Sequence, residues 1–210
     1  MSIELIRPFG PSIAKIKIPQ QMVNSLNKYV DQLISNSQKS KELSAGSSLA
    51  GDVTQEFKLE KEFSKEIGWL DLISKGVLQW IKMSSNQNIK EFRMIDSWIV
   101  RQFKNEYNPV HMHGGHVSGA GFLKVPETFG NYVQDEKHGV KHYAGGTLNL
   151  IHGSKQFLSK PTYQIKPEVG DFYFFPNYMM HTVYPFKGTD EERRSISFNA
   201  FIDQSVYDTF

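Results

Sequence analysis

Residues 107–116 read Tyr-Asn-Pro-Val-His-Met-His-Gly-Gly-His and contain three of the seven histidines of this 210-residue chain. Side chains two positions apart on a strand point to the same side, so His111 and His113 can reach one metal ion. The neighbouring glycines leave space for a further ligand. The segment therefore predicts a metal site at a strand end, with His116 as an alternative second ligand. A polar turn with incidental histidines, or a structural ion site, is the competing interpretation.

The sequence on both sides of this segment indicates a mainly β fold. After residue 88, aromatic and β-branched segments alternate with Gly, Pro and Asn, which predicts strands at roughly 89–107, 117–125, 147–152, 162–166, 171–175, 182–186 and 194–202. The first eighteen residues predict short strands. Apolar residues at helical spacing predict helices over 22–34 and 63–81, and residues 38–58 between them predict a loop.

This order of elements predicts an antiparallel sandwich or closed barrel with two supporting helices on one face. Because no repeat or linker interrupts the chain, we expect a single domain over 1–210. Residues 1–88 would supply short strands and the supporting helices, and residues 89–203 would form the β core. The longest break between predicted strands, residues 127–146, is expected to be either disordered or a working loop.

The composition excludes several classes of protein. The chain contains no cysteine, which excludes thiolate nucleophiles, Fe–S clusters and cysteine zinc sites and leaves histidine and carboxylate as transition-metal ligands. The formal net charge is +2 and the lysines are spread along the chain, so nucleic acid is not expected as a partner. The sequence shows neither a long apolar run nor a signal-peptide pattern, which predicts no membrane insertion and a cytoplasmic location. The oligomeric state is left open.

A second motif presents another histidine at the start of a strand. Residues 170–176 read Gly-Asp-Phe-Tyr-Phe-Phe-Pro, and residues 181–185 read His-Thr-Val-Tyr-Pro. This pattern predicts an aromatic strand, a loop and a further strand that begins near His181. A buried histidine whose ring is hydrogen-bonded to the backbone is the competing interpretation.

A third motif, residues 193–199, reads Arg-Arg-Ser-Ile-Ser-Phe-Asn. Strand alternation places Arg193, Ser195, Ser197 and Asn199 on one face and Arg194, Ile196 and Phe198 on the other. An arginine that points into a barrel among hydroxyl groups needs an anion, and its planar guanidinium suits a carboxylate. For Arg194 we expect an ordinary surface salt bridge to Glu191 or Glu192.

Taken in order, these residues resemble the Fe(II)/2-oxoglutarate-dependent oxygenases, and in particular their small prolyl-4-hydroxylase-like members. That superfamily combines a His-x-acid pair after one strand, a distal histidine on a later strand, and an Arg or Lys on the next strand. The resemblance covers roughly residues 95–202. His111 and His113 stand at the ligand pair, His181 at the distal histidine, and Arg193 at the basic position.

The resemblance implies a double-stranded β-helix, which is a jelly-roll or cupin-like barrel, and an oxygenase that uses Fe(II), 2-oxoglutarate and O2. It implies that His111, His113 and His181 hold the iron, while Arg193 and Ser195 bind the far carboxylate of 2-oxoglutarate. Oxidative decarboxylation to succinate and CO2 would accompany hydroxylation of a C–H bond in a protein side chain or small molecule. Residues 127–146, together with 38–58, would cover the mouth of the site.

Two positions depart from the family pattern. His113 stands where the family usually has Asp or Glu, so the site would carry three histidines and one more unit of positive charge. Phe122 stands where prolyl hydroxylases often have a tyrosine that helps to bind 2-oxoglutarate, so Tyr173 or Asn149 would take that role.

Imidazole must be neutral to bind iron, and its unperturbed pKa of about 6.5 predicts that metal is lost under mild acid.

Two other classes of protein remain as alternatives. His111-x-His113 also fits the start of a cupin motif, but Val117 and Ser118 stand where the cupin glutamate is expected. A jelly-roll binding or structural module without catalysis would bind neither Fe(II) nor 2-oxoglutarate. The sequence does not choose between a small-molecule and a peptide substrate.

Overall fold

The computed structural model describes residues 2–6, 10–46, 50–130 and 145–209. Within these ranges two sheets share an apolar cluster, and helices cover the other face of the larger sheet. The strands are β1 (Ile3–Ile6), β2 (Ile13–Lys17), β3 (Gln55–Lys58), β4 (Phe92–Gln102), β5 (Asn108–His111), β6 (Val117–Lys124), β7 (Leu148–Ile151), β8 (Thr162–Ile165), β9 (Asp171–Pro176), β10 (Met180–Val183) and β11 (Arg193–Ile202). The helices are α1 (Gln20–Ile34), α2 (Ser37–Glu42), α3 (Lys61–Glu66), α4 (Trp69–Ser85) and α5 (Gln204–Tyr207).

The two sheets are antiparallel throughout their described pairings. The larger sheet has the order β1-β2-β9-β6-β11-β4-β3, and the smaller sheet has the order β5-β10-β7-β8. Alternate side chains of β9 face two different apolar clusters. Phe172 and Phe174 pack under the helices, whereas Tyr173 and Phe175 pack between the sheets. The predicted mainly β, antiparallel architecture with helices on one face is confirmed.

The helical layer rests on the larger sheet through the apolar stripes of α1 and α4. Helix α1 begins after Pro19, and the buried residues of the two helices are Val23, Leu26, Tyr29, Val30, Leu33, Trp69, Ile73, Gly76, Val77 and Trp80. Gly76 lies directly on Phe174, where an added Cβ would come within 2.5 Å of the phenyl ring. Because interiors are close-packed, a side chain at this position would force the helix away from the sheet.

Three predicted elements differ from the structure. The helix predicted over 63–81 is two helices, α3 and α4, because Gly68 between them has a left-handed φ of 74°. The loop predicted over 38–58 contains part of α2 and all of β3, which is an edge strand paired with β4. The strand predicted over 89–107 ends at Gln102, and the chain then crosses to the smaller sheet as β5.

The break predicted over 127–146 falls largely on residues 131–144, which lie outside the described residues. The division of a single domain near residue 88 stays a prediction, and β4 begins at Phe92. None of the described helices has the length and apolar character that crossing a lipid bilayer requires.

Candidate metal centre

Three imidazoles meet at one edge of the smaller sheet. His111 is the last residue of β5 and lies directly opposite His181 of β10, while His113 follows two residues after His111. Their ligand nitrogens all lie within 4.8 Å of one another, and the Nε2 atoms of His113 and His181 are 3.1 Å apart. Met112 between the first two histidines is 63% exposed, so the chain alternates here as a strand does. The structure thus brings together the three histidines predicted from sequence.

Backbone carbonyl groups determine which nitrogen of two of these rings carries the proton. His111 Nδ1 lies 2.7 Å from the Pro109 oxygen, and His181 Nδ1 lies 2.9 Å from the Met179 oxygen. Because a carbonyl oxygen only accepts, each Nδ1 is the donor and each Nε2 keeps its lone pair. Neutral imidazoles oriented in this way are suitable ligands for a divalent transition metal such as iron.

The environment of the cluster favours the neutral form of two of its imidazoles, His113 and His181. Burial lowers the pKa of His113 to about 3, and the nearby His181 and His111 rings add to the shift. Burial also lowers the pKa of His181 to about 4, with a further contribution from His111. Aromatic rings supply much of this burial: Trp98 lies 5.5 Å from His113, and Phe175 lies 5.0 Å from His181, between ring centroids. The unperturbed value used in the sequence argument is therefore wrong for these two residues, because desolvation disfavours the charged ring.

Asn177 holds the backbone of His113 in place. The His113 N–H donates to the Asn177 carbonyl at 3.1 Å, and the Asn177 amide donates to the His113 carbonyl at 3.3 Å. The Asn177 N–H also donates to the carbonyl of His116 at 3.2 Å. Sequence reasoning missed this residue, although its position between the aromatic strand β9 and His181 could have drawn attention to it.

The structure separates His116 from the cluster. Its ring stacks on Tyr207 of α5 with centroids 4.1 Å apart, and its Nδ1 lies 3.2 Å from the Ile202 N–H. His116 is 7% exposed and lines a cavity of ≈ 760 Å³ between α4 and α5. None of the three clustered histidines lines that cavity, so its size does not identify it as the metal site.

Arg193 is a buried cation without an anionic partner in the described part of the chain. It is 2% exposed, and its Nε donates to the Gly146 carbonyl at 2.9 Å. Its second hydrogen bond reaches Ser195 Oγ at 3.3 Å, and its guanidinium lies 5.1 Å from the centre of the Phe122 ring. Burial lowers the pKa of Arg193 to about 9. A carboxylate bound at this position would supply the missing negative charge.

Arg194 lies on the opposite face of β11, as strand alternation predicts. It binds Glu192 with an Nε–Oε1 distance of 2.6 Å and Asp31 of α1 with an Nη2–Oδ1 distance of 2.7 Å. Glu192 was one of the two expected partners, but the expected surface location is wrong because Arg194 is only 2% exposed. Helix α1 covers this face of the strand and encloses the ion pair.

The two residues proposed to replace the missing tyrosine lie in different places. Tyr173 packs with Phe122 in the apolar cluster between the sheets, and Lys15 Nζ lies 5.6 Å from the centre of its ring. Asn149 lies on the face of β7 opposite to Leu148 and Leu150, where its amide donates to Thr147 Oγ1 at 2.9 Å. The structure therefore brings Tyr173, but not Asn149, to the interior face that carries Arg193.

A smaller cavity of ≈ 320 Å³ opens beside His113. Trp98, Met112 and three polar side chains contribute to its wall, and the complete lining is Ala45, Lys58, Asp96, Trp98, Met112, His113, Gly114 and Asn199. Its volume lies at the lower end of the range for small-molecule sites, about 300–1,000 Å³. Sequence reasoning missed Lys58, Asp96 and Trp98: only the tertiary fold brings β4 beside the histidines, and only the pairing of β3 with β4 adds Lys58 to this wall.

Comparison with known proteins agrees with this geometry. Residues 96–199 match the model of a family described as "Putative 2OG-Fe(II) oxygenase", whereas no curated protein matches the chain. The fold is similar to that of a prolyl-4-hydroxylase from Pseudomonas putida, with 16% identity, coverage of 90% of this chain and 91% of that chain, and a TM-score of 0.57. It is equally similar to the viral collagen prolyl hydroxylase of Paramecium Bursaria Chlorella virus-1 in its 2OG complex, with 16% identity, 90% and 94% coverage, and a TM-score of 0.57.

A third similar structure is a prolyl hydroxylase from Trichoplax adhaerens in complex with a peptide fragment of the hypoxia inducible factor oxygen degradation domain. It shares 12% identity, covers 93% of this chain and 86% of that chain, and has a TM-score of 0.52. These similarities show that the two sheets form a double-stranded β-helix. The matched segment runs from β4 to β11 and contains the three clustered histidines and Arg193. Residues 96–199 of this chain therefore match the 2-oxoglutarate- and Fe(II)-dependent oxygenases in sequence, and the described fold matches prolyl hydroxylases of that class in structure.

Proposed function

We propose that His111, His113 and His181 hold Fe(II) in this oxygenase. The observation that carries the proposal is the convergence of three ligand nitrogens within 4.8 Å, two of them on rings whose Nδ1 protons are held by backbone carbonyls. Bound Fe(II) would supply the centre at which 2-oxoglutarate and O2 react. Three imidazoles leave further coordination positions open. Because His113 and His181 are neutral at pH 7, metal binding displaces no proton from either of them.

Arg193 and Ser195 would bind the far carboxylate of 2-oxoglutarate. The guanidinium is buried, positively charged and without an anionic partner among the described residues, and Ser195 Oγ lies beside it. The hydrogen bond from Nε to the Gly146 carbonyl fixes the orientation of the group. A planar guanidinium can bind a carboxylate through two parallel hydrogen bonds, which would select a dicarboxylate that also reaches the metal. Tyr173 would make a further contact with 2-oxoglutarate, because it lies in the same apolar cluster as Phe122.

The reaction would be hydroxylation of a substrate C–H bond with release of succinate and CO2. Trp98 and Phe175 flank the histidines and would exclude water from the reacting centre. The substrate would approach from the cavity beside His113, since this cavity reaches a proposed ligand directly. Its volume suits a small molecule, and a peptide substrate is the alternative that the prolyl hydroxylase neighbours suggest.

An anaerobic titration tests this proposal. Fe(II) is added to the metal-free protein, followed by 2-oxoglutarate, and the visible charge-transfer band of the chelate is recorded. Oxygen is then admitted and succinate is measured. We expect the band to indicate one chelate per protein chain, and we expect succinate to form once oxygen is admitted. The His181→Ala variant should show neither the band nor succinate. Well-folded wild-type protein that gives neither band nor succinate contradicts the proposal.

A further inference from the structure

The cavity beside His113 combines an aromatic floor with two charged side chains of opposite sign. Trp98 is 6% exposed and contacts His113, whereas Lys58 and Asp96 are exposed residues of the cavity wall. Asn199 adds an amide to the same wall. The volume of ≈ 320 Å³ is sufficient for one small metabolite rather than for a folded partner.

Three adjacent strands place these side chains on one face of the larger sheet. Lys58 of β3 lies directly opposite Trp98 of β4, and Asp96 of β4 lies directly opposite Asn199 of β11. Asp96 and Trp98 are two residues apart on one strand and therefore point to the same side. The ammonium and carboxylate groups thus extend from diagonal positions, whose Cα atoms are typically about 7–8 Å apart. The strand register, and not loop conformation, fixes this arrangement.

Neither charge is neutralised within the described part of the chain. Lys58 and Asp96 belong to none of the ion pairs among the described residues, whereas Lys15, Lys17 and Lys39 each pair with a carboxylate. Asn199 Oδ1 accepts a hydrogen bond from Ser118 Oγ at 2.8 Å, so its amide nitrogen remains a donor for a ligand. The cavity therefore offers one cationic donor, one anionic acceptor and one neutral donor around an aromatic ring.

We infer that this cavity binds the zwitterionic head of a small α-amino acid. This inference rests on the proposed function and names the substrate class of the same site. The carboxylate of the substrate would pair with Lys58 and its ammonium with Asp96, while its side chain would lie along Trp98 towards the histidines. A simple anion would be repelled by Asp96, and a simple cation would be repelled by Lys58. An internal peptide residue carries neither charge on its backbone, so it would leave both groups unpaired.

The chemistry of the site is then the hydroxylation of an amino-acid side chain. One atom of O2 enters the substrate C–H bond to give an alcohol, and the other enters succinate as 2-oxoglutarate loses CO2. The oxidation of 2-oxoglutarate supplies the two electrons that the reduction of O2 needs beyond those taken from the C–H bond. No reductant other than 2-oxoglutarate is required.

Binding measurements on the intact chain test the inference. The protein is loaded with Mn(II) and 2-oxoglutarate under anaerobic conditions, and the twenty free L-amino acids are titrated by calorimetry. Those that bind are then compared with their N-acetyl derivatives and their C-terminal amides. We expect at least one free amino acid to bind, and we expect each blocked derivative to bind about tenfold or more weakly, since each loses one charge-assisted contact.

Two variants assign the contacts. Lys58→Met should weaken binding of the free amino acid about tenfold and should abolish the preference over its amide. Asp96→Asn should weaken binding similarly and should abolish the preference over the N-acetyl form. Lys75→Met and Glu66→Gln remove exposed charges outside the cavity and should bind as the wild type does.

Failure of this inference is separable from failure of the proposed function. If the Fe(II)–2-oxoglutarate band forms but no free amino acid binds, or if blocked and free forms bind equally, the substrate assignment is wrong while the oxygenase site stands. If the band itself does not form, the proposed function is wrong and the inference is wrong with it. The comparison of free with blocked amino acids uses wild-type protein, so a variant that fails to fold does not prevent a decision.

Discussion

Two consecutive arginines on β11 have opposite surroundings, and this difference gives a sharp test of the site. Arg193 is buried without a carboxylate partner among the described residues, whereas Arg194 pairs with Glu192 and Asp31. We expect Arg193→Met to weaken 2-oxoglutarate binding about 100-fold, equivalent to about 3 kcal/mol, because charge-assisted hydrogen bonds to the carboxylate are lost. Fe(II) binding should persist, and the free energy of unfolding should stay unchanged or rise, since an unpaired buried charge is removed.

Arg194→Met is the matched control. It leaves Glu192 buried with one arginine fewer, so it should lower the free energy of unfolding by about 3 kcal/mol while 2-oxoglutarate affinity is retained in the folded protein. Urea unfolding and the charge-transfer titration measure the two quantities. An Arg193→Met protein that binds 2-oxoglutarate as tightly as the wild type would remove Arg193 from the site.

Acid should destabilise the metal-free protein through the buried histidines. The folded-state pKa values of His113 and His181 are about 3 and about 4, below the ordinary value of 6.5 that applies to the unfolded chain. The unfolded chain therefore binds protons first, so the stabilisation is complete above about pH 6.5 and is lost as the pH falls towards these folded values. Each histidine should contribute a slope that approaches about 1.4 kcal/mol per pH unit near pH 5, where the unfolded ring is protonated and the folded ring is neutral.

Urea unfolding of the metal-free wild type and of His113→Asn between pH 6.5 and pH 4.5 measures this slope. Near pH 5 the pH dependence of the free energy of unfolding should be smaller in the variant than in the wild type by up to about 1.4 kcal/mol per pH unit. Parallel curves would show that burial does not depress the His113 pKa. Because these two imidazoles stay neutral at pH 5, their protonation should begin to compete with metal only at lower pH than the unperturbed value of about 6.5 suggests.

Local alternation in the sequence was sufficient for several of these residues and insufficient for others. The parity of β5 and β11 placed His111 with His113 and separated Arg193 from Arg194, because alternation depends only on the strand itself. The burial of Arg194 depends on α1, which lies about 160 residues earlier in the chain. No local pattern could have revealed it. Asn177 was missed for a similar reason, since its contacts with His113 cross between two loops.

At the level of elements, α5 supports the candidate metal centre from outside the barrel. The Tyr207 hydroxyl donates to Asn177 Oδ1 at 3.3 Å, and Asn177 in turn holds both backbone groups of His113. His113 lies beyond the end of β5, so these bonds replace the strand pairing that fixes His111. We expect Asn177→Ala to weaken Co(II) binding about 10–100-fold, as is typical when a partner that orients a ligand is removed.

Co(II) titration followed by visible absorption measures this effect, and Tyr207→Phe should give a smaller, few-fold loss. Gln204→Ala on the same helix is the control, because the side-chain amide of Gln204 hydrogen-bonds to exposed Asp208 and not to Asn177. Unchanged Co(II) affinity in Asn177→Ala would show that β5 alone is sufficient to position His113.

Helices and strands could be predicted where their own segment of sequence determines them. Their prediction failed where pairing with a distant strand determines them. The stripe of α1 follows helical periodicity and was found, and the single helix predicted over 63–81 failed only at Gly68. Strand β3 was missed because Gln55–Lys58 is short and has only one apolar residue, so its identity as a strand comes from pairing with β4. That missed strand carries Lys58 to the cavity, so the error also concealed part of the candidate substrate site.

At the scale of the whole molecule, the candidate site joins the two sheets. The proposed metal ligands all belong to β5, β10 and the residues after β5, on the smaller sheet, whereas Arg193 and Ser195 belong to the larger sheet. Metal alone would therefore crosslink one sheet, and 2-oxoglutarate held by both the metal and Arg193 would bridge the two. The resemblance from sequence implied these residues, but the sequence could not show on which sheet each of them lies, because the order β5-β10-β7-β8 is set by long-range pairing.

Amide hydrogen exchange should reveal this division between the sheets. Mn(II) alone should slow exchange in β5 and β10, and subsequent 2-oxoglutarate should extend the protection to the start of β11, whereas 2-oxoglutarate without metal should change little. At concentrations about 100-fold above the dissociation constant, each ligand should add up to about 2.7 kcal/mol, or roughly 100-fold in exchange rate. Amides of α1 that exchange through local opening serve as the reference, because local opening of that helix would leave both ligands bound. Equal slowing of α1 and β11 by 2-oxoglutarate would indicate general stabilisation, and protection of β11 without metal would show that Arg193 binds the dicarboxylate independently of the histidines.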